Sequence, residues 1–571
     1  VMQRLAIFRG GFTLAAAEQV AQASIHTLAA LVEKALIRLD ETGRYQIHEL
    51  LHQFAHEKLA AHQTHAHVTA AAHADFFLSL ASQLKASLAD RRQQTALSTL
   101  QADIDNLRVA WLWALQQPEL PGIAQALDSL YEFFLFTCRY SEGKELFANS
   151  AALRGGAKGD RQPLATDVMA TQLATRAAVF AYHLGEYAQP SDHFRALLAA
   201  PLSDELQRDG AIAHTILGLI AGWQGKEDEA EKYLQKSVAL YEALGDHSSM
   251  AAVLHGMAEM YAHGWVFQKA VDSAQACLDI GVQLGRDDLI GSGHYTLGYA
   301  HKSLGRPKLA LYHYRQGCIY TEKTSDRLGY ALSVGGVGIE LCNLAQKQWA
   351  QGFALIQQSL AICREIGHFV HIVTRLFSLG QACIHGKRYA EAIPFAEECV
   401  QIATAANFQR AICFGLLTLG ETYCALDDFA MSRLYLQQTT RKGIECNYHG
   451  LPHIVVAYGL LLEKEATQLA ATAAIQNRID AVTLATAALR HPAWYVYHQK
   501  AQQLLERQKA FLSDDQFLAA QALADQEEVA FGLVGVVTWP NPLSSAAIPP
   551  HRQQTDSRPS PAGRRRRLRC A

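Results

Sequence analysis

The 571-residue chain lacks any apolar run approaching the ~18 residues that a membrane-spanning helix requires. No bilayer-crossing segment is therefore expected. Its opening, "VMQRLAIFRGGF", has no charged start followed by a hydrophobic core, so a secretory signal is not expected either. Beginning at Val1, inside a segment that reads as packed, is what a fragment of a longer protein would do. There is little net charge: 51 basic and 54 acidic residues leave -3, which implies neither a polyanion nor a membrane surface as a global partner. The eleven cysteines include no CxxC pair, and most stand among apolar helical residues, as in "ACLDI" and "LAICREI". They read as small core residues of a reduced, cytoplasmic protein. No GxxxxGK[ST] occurs; "LRGGAKGD" (153–160) has glycines and a lysine without the spacing or the hydroxyl residue that hold phosphate and Mg²⁺. GxSxG, a Cys/His pair in a recognisable context and GxGxxG opening a helix after a strand are also missing.

What the chain does have is a period. Aligning "LGLIAGWQGKEDEAEKYL", "LGYAHKSLGRPKLALYHY" and "LGQACIHGKRYAEAIPFA" places one small residue first and a second twelve positions later. The pairs are Ala178 and Pro190, Gly218 and Ala230, Ala258 and Ala270, Gly298 and Ala310, Gly338 and Ala350, Gly380 and Ala392, and Gly420 and Ser432. The step is 40 residues, once 42. Each unit reads as a helical hairpin whose small residues let two helices approach, and stacked hairpins bury what one cannot. Gly245, Gly285 and Gly367 fall just past apolar helix faces, as helix stops do. Strand alternation is absent from this region. The pattern resembles the tetratricopeptide repeat with longer helices, about seven units over residues 162–440, Pro190 and Ser432 being departures at its ends. Residues 441–533 keep helical spacing and read as capping helices.

The amino-terminal 66 residues have another texture. Thr13 can cap a helix over "LAAAEQVAQA", and "HTLAALVEKAL" forms a second. "LIRLDETGRYQIH" reads as a β-hairpin, and "ELLHQFAHEKL" as a closing helix. This order predicts a small winged-helix-like domain, with a helical connector at 67–161. The fold class expected is thus predominantly all-α: that domain followed by an α-solenoid.

"RLAIFRGGFTLAAAEQVA", "LAALVEKALI", "GRYQIHELLHQFAHEKL", "HADFFLSLA" and "DIDNLRVAWLWAL" resemble the region after the nucleotide-binding module of STAND-type (NB-ARC-related) signalling ATPases. They are most similar to bacterial ATP-dependent regulators of the MalT/LuxR-like class, whose sensor is a tetratricopeptide-type superhelix. The resemblance runs from Val1 to about Leu533. It implies that Ile47-His48-Glu49 matches the Met-His-Asp motif of related members and that His48 faces the phosphates of bound ADP, where a ring N–H suits the task. ATP or ADP is expected only with an upstream module. This chain alone is expected to carry no cofactor and no catalysis.

His48-Glu49-Leu50-Leu51-His52 also spells HExxH, a zinc peptidase pattern. A metzincin would need Gly at 55 and His at 58, where Ala55 and Lys58 stand, and no acidic residue lies between Glu57 and Asp75 to act as third ligand. On a helical wheel Leu51, Phe54, Ala55 and Leu59 form the buried stripe, with His48 and His52 at its edge. A metallopeptidase is therefore the remote alternative, and no metal site is assigned.

By offset from the small residues, His255, Glu259, Tyr295, Tyr299, Lys302, Gln381 and Glu421 should line the concave face of the superhelix. That face is the expected seat of a small effector or a protein partner. Self-association is allowed for, and a stand-alone repeat scaffold is the alternative to a regulator. The tail 534–571, with "SRPSPAGRRRRLRCA", is expected to be disordered. Its arginines either attract nucleic acid without sequence preference or record a reading-frame error where a LuxR-type helix-turn-helix would begin; DNA is expected to be read only through a domain not intact here.

Overall fold

The computed structural model of the protein describes residues 1–525 except 118–120, 157–166, 264–265, 345, 447, 449 and 492–494. The Arg-rich tail thus lies outside the described residues. Among those described, helices make up nearly the whole chain, and the strands form one two-stranded sheet.

At the amino terminus, Thr13 Oγ1 accepts from the Ala16 amide at 3.2 Å and starts helix Leu14–Ala21; Ser24 starts Ile25–Glu33 in the same way. Strands Ile37–Leu39 and Tyr45–Ile47 pair antiparallel, with Ile37 opposite Ile47. Asp40 Oδ1 gathers the amides of Thr42 (2.9 Å) and Arg44 (3.0 Å), while Gly43 takes φ +80°, which closes the turn. Phe12 adds an isolated bridge to Tyr45. Helix Glu49–Ala60 follows, rotated from the wheel prediction: His52 is buried and Phe54 is 59% exposed. The reason is a hydrogen bond. His52 Nε2 meets the Phe8 carbonyl at 3.0 Å, so the inward face is the 52, 55, 59 stripe, and a satisfied imidazole replaces an apolar ring there.

The connector is bolted to this domain. Arg44 pairs with Asp103 at 2.5 Å, and Asn106 accepts from the Arg9 amide (2.7 Å) while donating to the Gly11 carbonyl (2.9 Å). One hydrophobic core runs from Leu5 through the connector helices into the first repeats.

Seven hairpins then stack: Val168–His183 with Ala188–Leu198, Gln207–Trp223 with Glu227–Ala243, His247–His263 with Phe267–Leu284, Asp287–Ser303 with Pro307–Thr321, Arg327–Leu344 with Trp349–Ile366, Phe369–His385 with Tyr389–Ala405, and Gln409–Ala425 with Phe429–Glu445. They are called units one to seven below. Similar hairpins stand on either side, at Pro121–Phe136 with Tyr140–Gly156 and at Leu451–Glu465 with Ala471–Leu489. Ala230, Ala270, Ala310 and Ala392 are fully buried. Ser432 is buried too, and its hydroxyl donates to the Gly420 carbonyl at 2.8 Å, so the polar group at the crossing is satisfied. Pro190 sits in the first turn of its helix, where a missing N–H breaks no intrahelical bond.

One pair differs from the prediction. Ala350 is exposed, and the residue that meets Gly338 is Gly352: a Cβ on Gly338 would lie 2.6 Å from the Gly352 carbonyl oxygen, and one on Gly352 2.5 Å from that of Gly338. The extra length of this unit is taken up in its turn, where Gln346–Gln348 form a 3₁₀ segment. Gly338→Ala is expected to destabilise the chain by about 1–3 kcal/mol through this clash, whereas Ala350→Gly should cost about 1 kcal/mol or less. Chemical denaturation of both variants decides; equal losses would restore Ala350 as the partner.

The stack closes on itself. Unit six returns to unit one: His183 Nδ1 lies 3.2 Å from His368 Nε2, Tyr187 packs edge-on against Phe369, and Phe369 fills the space that the absent Cβ of Gly185 leaves. Unit seven returns to unit two through Trp223 on Phe408 (5.1 Å between rings) and an Arg410–Glu227 ion pair. The connector closes on units three and four, where Arg286 donates to the Leu88 carbonyl (2.9 Å) and Ser325 donates to Gln94. Five units therefore complete one superhelical turn, and the concave face becomes an interior.

Candidate functional site

The inner wall is built from the first helix of each hairpin, because the second helices pack outside them. Along the axis lie three cavities of about 300, 50 and 770 Å³. The first and second share Trp223, Glu259 and His371; the second and third share Lys302, Ile339, Phe377 and Ser378. They form one interrupted channel.

The structure brings most of the predicted residues to it. His255 and Glu259 stand in the wall of the 300 Å³ cavity. Glu259 reappears with Tyr295, Tyr299 and Lys302 around the 50 Å³ constriction. Lys302 and Gln381 border the 770 Å³ cavity. Glu421 lines none of these three cavities: it is buried under the helix Tyr495–Gln508, accepting from Gln381 (3.0 Å), Tyr497 (3.3 Å) and Lys500 (2.5 Å). His48 stands apart from this channel, exposed at the junction of strand Tyr45–Ile47 and helix Glu49–Ala60, its side chain not used as a cap. Of the HExxH letters, His52 is spent on Phe8. Among the described residues no group of three or more His, Cys, Asp or Glu is placed to hold a metal ion.

Sequence offsets missed two arginines in the wall of the 300 Å³ cavity. Arg208 and Arg410 each precede the first small residue of their unit by ten positions, as do Ser248, Leu328 and Val370, and all five line the 300 Å³ cavity. That offset is periodic and was available. His371 precedes its small residue by nine positions, as Ser249 and Leu289 do in the same cavity wall, so its place was periodic too, whereas the charge at Arg375 has no counterpart in the other units.

Burial sets the electrostatics. It pushes Lys302 down to about 8, with Glu340 pulling the other way, and pushes Glu340 up to about 7 against the pull of Lys302. Glu259 is raised by burial although His255 and Arg375 favour its anion. His183 is lowered to about 4, and His368 and His371 well below the ordinary value, so the rings at the seam are neutral. Arg286, 1% exposed, also lines the cavity; it chelates Asp288, donates to Leu88 and Ser248, and stacks on Phe136. A mainly apolar chamber with a few convergent polar groups is what a small-molecule site needs.

No family model matches the chain. It is 29% identical over 244 residues to proteins named as HTH-type transcriptional regulators in Mycobacterium bovis and Mycobacterium tuberculosis; the match covers 37% of this chain and 27% of theirs, so the chain spans about a quarter of the relatives' length. Among solved structures it is similar to a Rap protein complexed with competence and sporulation factor (TM-score 0.45, 13% identity, 67% of this chain and 97% of that one). It is also similar to a STAND protein with a tetratricopeptide repeat sensor from Pyrococcus horikoshii (TM-score 0.45, 14% identity, 78% and 62%).

Proposed function

We propose that the chain is the sensor region of a STAND-type signalling or transcriptional regulator, and that it receives a small effector inside the closed superhelix. The closure of unit six onto unit one carries this reading. An open concave face can take a folded partner or a helix, but a 300 Å³ chamber admits only a small molecule. This favours the effector over the protein partner and over a stand-alone scaffold. The named mycobacterial regulators support the regulatory part, on a quarter of their length.

Binding at the chamber can act at a distance only through contacts that differ between two states. Arg286 offers such a contact: it lines the chamber and holds the connector at Leu88, and the connector is bolted to the amino-terminal region by Arg44–Asp103. That region, with its helices, paired strands and Phe12 bridge, is read as winged-helix-like. His48, exposed at its strand-to-helix junction, is the proposed contact to an ADP phosphate. The residues present fit that role in part: His48 is accessible, but Glu49 in the first turn opposes an anion, so a separate phosphate-binding module has to supply the affinity.

The test is to fill the chamber. Ala252 lines it, and Ala252→Phe should leave helix content intact while abolishing the thermal stabilisation that small-molecule hits confer on the unmodified chain. Hits that stabilise both proteins equally would place the effector elsewhere and sink the proposal.

A further inference from the structure

Between the two large cavities the channel narrows to a constriction of about 50 Å³ with a charged side chain in its wall. Arg375 of unit six reaches into its wall and is 4% exposed. Its Nη2 donates to Tyr295 Oη at 3.4 Å, while Nε and Nη1 have no hydrogen-bond partner. Among the described residues no carboxylate lies within ion-pairing distance of it, unlike buried Arg176, Arg286 and Arg410, each of which is paired. The space is made for it by Gly335, since a Cβ there would lie 2.5 Å from Nη1. A buried guanidinium with two idle donors is costly unless something completes it.

Resting on the reading of the channel as an effector site, we infer that Arg375 is the anchor for the carboxylate of a small amphipathic monoanion whose apolar body occupies the adjoining chamber. The dimensions agree. About 50 Å³ accommodates a carboxylate head, and the 300 Å³ cavity that shares Trp223, Glu259 and His371 with it has walls such as Val179, Ile216, Leu219 and Met260 for the body. The planar fork of an arginine presents Nη2 together with either Nε or Nη1 as two parallel N–H donors, so a carboxylate on one edge completes one idle donor and shares Nη2 with Tyr295. A dianion is disfavoured, because Glu259 and Glu340 are close by; Lys302, beside Glu340, is already engaged in the site. His371, which burial keeps neutral, adds a donor or acceptor where the constriction meets the 300 Å³ cavity.

The inference is tested by titrating the full chain with octanoate and phenylacetate against octanamide and phenylacetamide, followed by calorimetry. The acids should bind on the order of ten- to a hundredfold more tightly than the amides, the range expected for charge-assisted hydrogen bonds. Arg375→Gln should erase that difference, and Arg375→Lys should retain part of it. The acid-to-amide comparison on the unmodified chain needs no variant to fold. Equal binding of acid and amide, lost together in Ala252→Phe, overturns the carboxylate inference and leaves the effector chamber standing. A preference for acids that survives in Arg375→Gln also overturns it. Binding by neither acid nor amide overturns the carboxylate inference, while the effector chamber stands or falls on the Ala252→Phe comparison.

Discussion

Arg286→Ala is expected to cost about 3–5 kcal/mol, the range for removing one partner of a buried ion pair. The side chain is 1% exposed and spreads its donors over three elements: Asp288 on its own helix, Ser248 at the start of unit three, and the Leu88 carbonyl at the end of helix Gln63–Leu88. Truncation leaves Asp288, itself only 7% exposed, with no cation and only the Gln93 side-chain amide as partner, and leaves the Leu88 carbonyl without this donor. The loss should be local before it is global. A chain with more than one core need not unfold in a single transition, so amide exchange is the better readout, and protection should fall first in helices Gln63–Leu88 and Gln93–Ala102. Pairing the change with an apolar residue at 288, as Arg286→Met with Asp288→Leu, should recover much of the stability. Unchanged exchange in those helices would show that Arg286 does not fasten the connector.

Mild acid should open the seam between units one and six. Burial holds His183 at about 4 and His368 and His371 well below the usual 6.5, so the folded chain keeps three neutral rings that the unfolded chain protonates below pH 6.5. Stability from this cluster is therefore complete above pH 6.5 and falls as the pH drops toward 4, by up to about 1.4 kcal/mol per pH unit for each histidine. The Arg375 guanidinium adds to the cost of protonating His371, and each protonated ring of the cluster repels the next. Asp326, raised to about 6, and Glu340, raised to about 7, act in the opposite sense, since the folded chain protonates them first and gains stability as the pH falls through those values. Three histidines at one interface outweigh two separate carboxyls there. Between pH 7.5 and 5.5 the melting temperature should fall, with His73, His313 and His385, each also held at about 4 by burial, adding to the drop, and His183→Gln or His371→Gln should make the profile shallower. A flat profile in the unmodified chain would contradict the burial of these rings.

How much of this was legible beforehand depends on what each feature rests on. The hairpins were readable because Gly and Ala at a fixed spacing report a backbone approach that only small residues permit. The inward residues His255, Glu259, Tyr295, Tyr299, Lys302 and Gln381 followed from the same spacing, since helical periodicity carries the direction of a side chain from one unit to the next. Ala350 was misread because an insertion inside a turn shifts everything after it, and the alignment alone did not show on which side of the turn it fell. Phe54 was misread because a wheel ranks residues by hydrophobicity, whereas the Phe8 carbonyl selects His52. The closure of the superhelix was not legible at all. It is the sum of small rotations between neighbouring hairpins, and no single segment encodes it. Arg375 and His371 became prominent only once that sum was known, because their surroundings come from units far away in the chain.

The closed turn also governs how the protein can be made. In an open solenoid each unit touches only its neighbours, so a nascent chain can complete one layer after another. Here the partners across the seam are 185 residues apart at His183 and His368, and 183 at Glu227 and Arg410. At ribosomal speeds of about 5–20 residues per second, units one and two wait roughly 10–40 s with their seam faces uncovered. Duplicating or deleting a unit, the ordinary route by which repeat arrays change length, would move every such partner out of register. Chain growth by repeat number is thus closed to units one through seven, and variation there has to come from side chains.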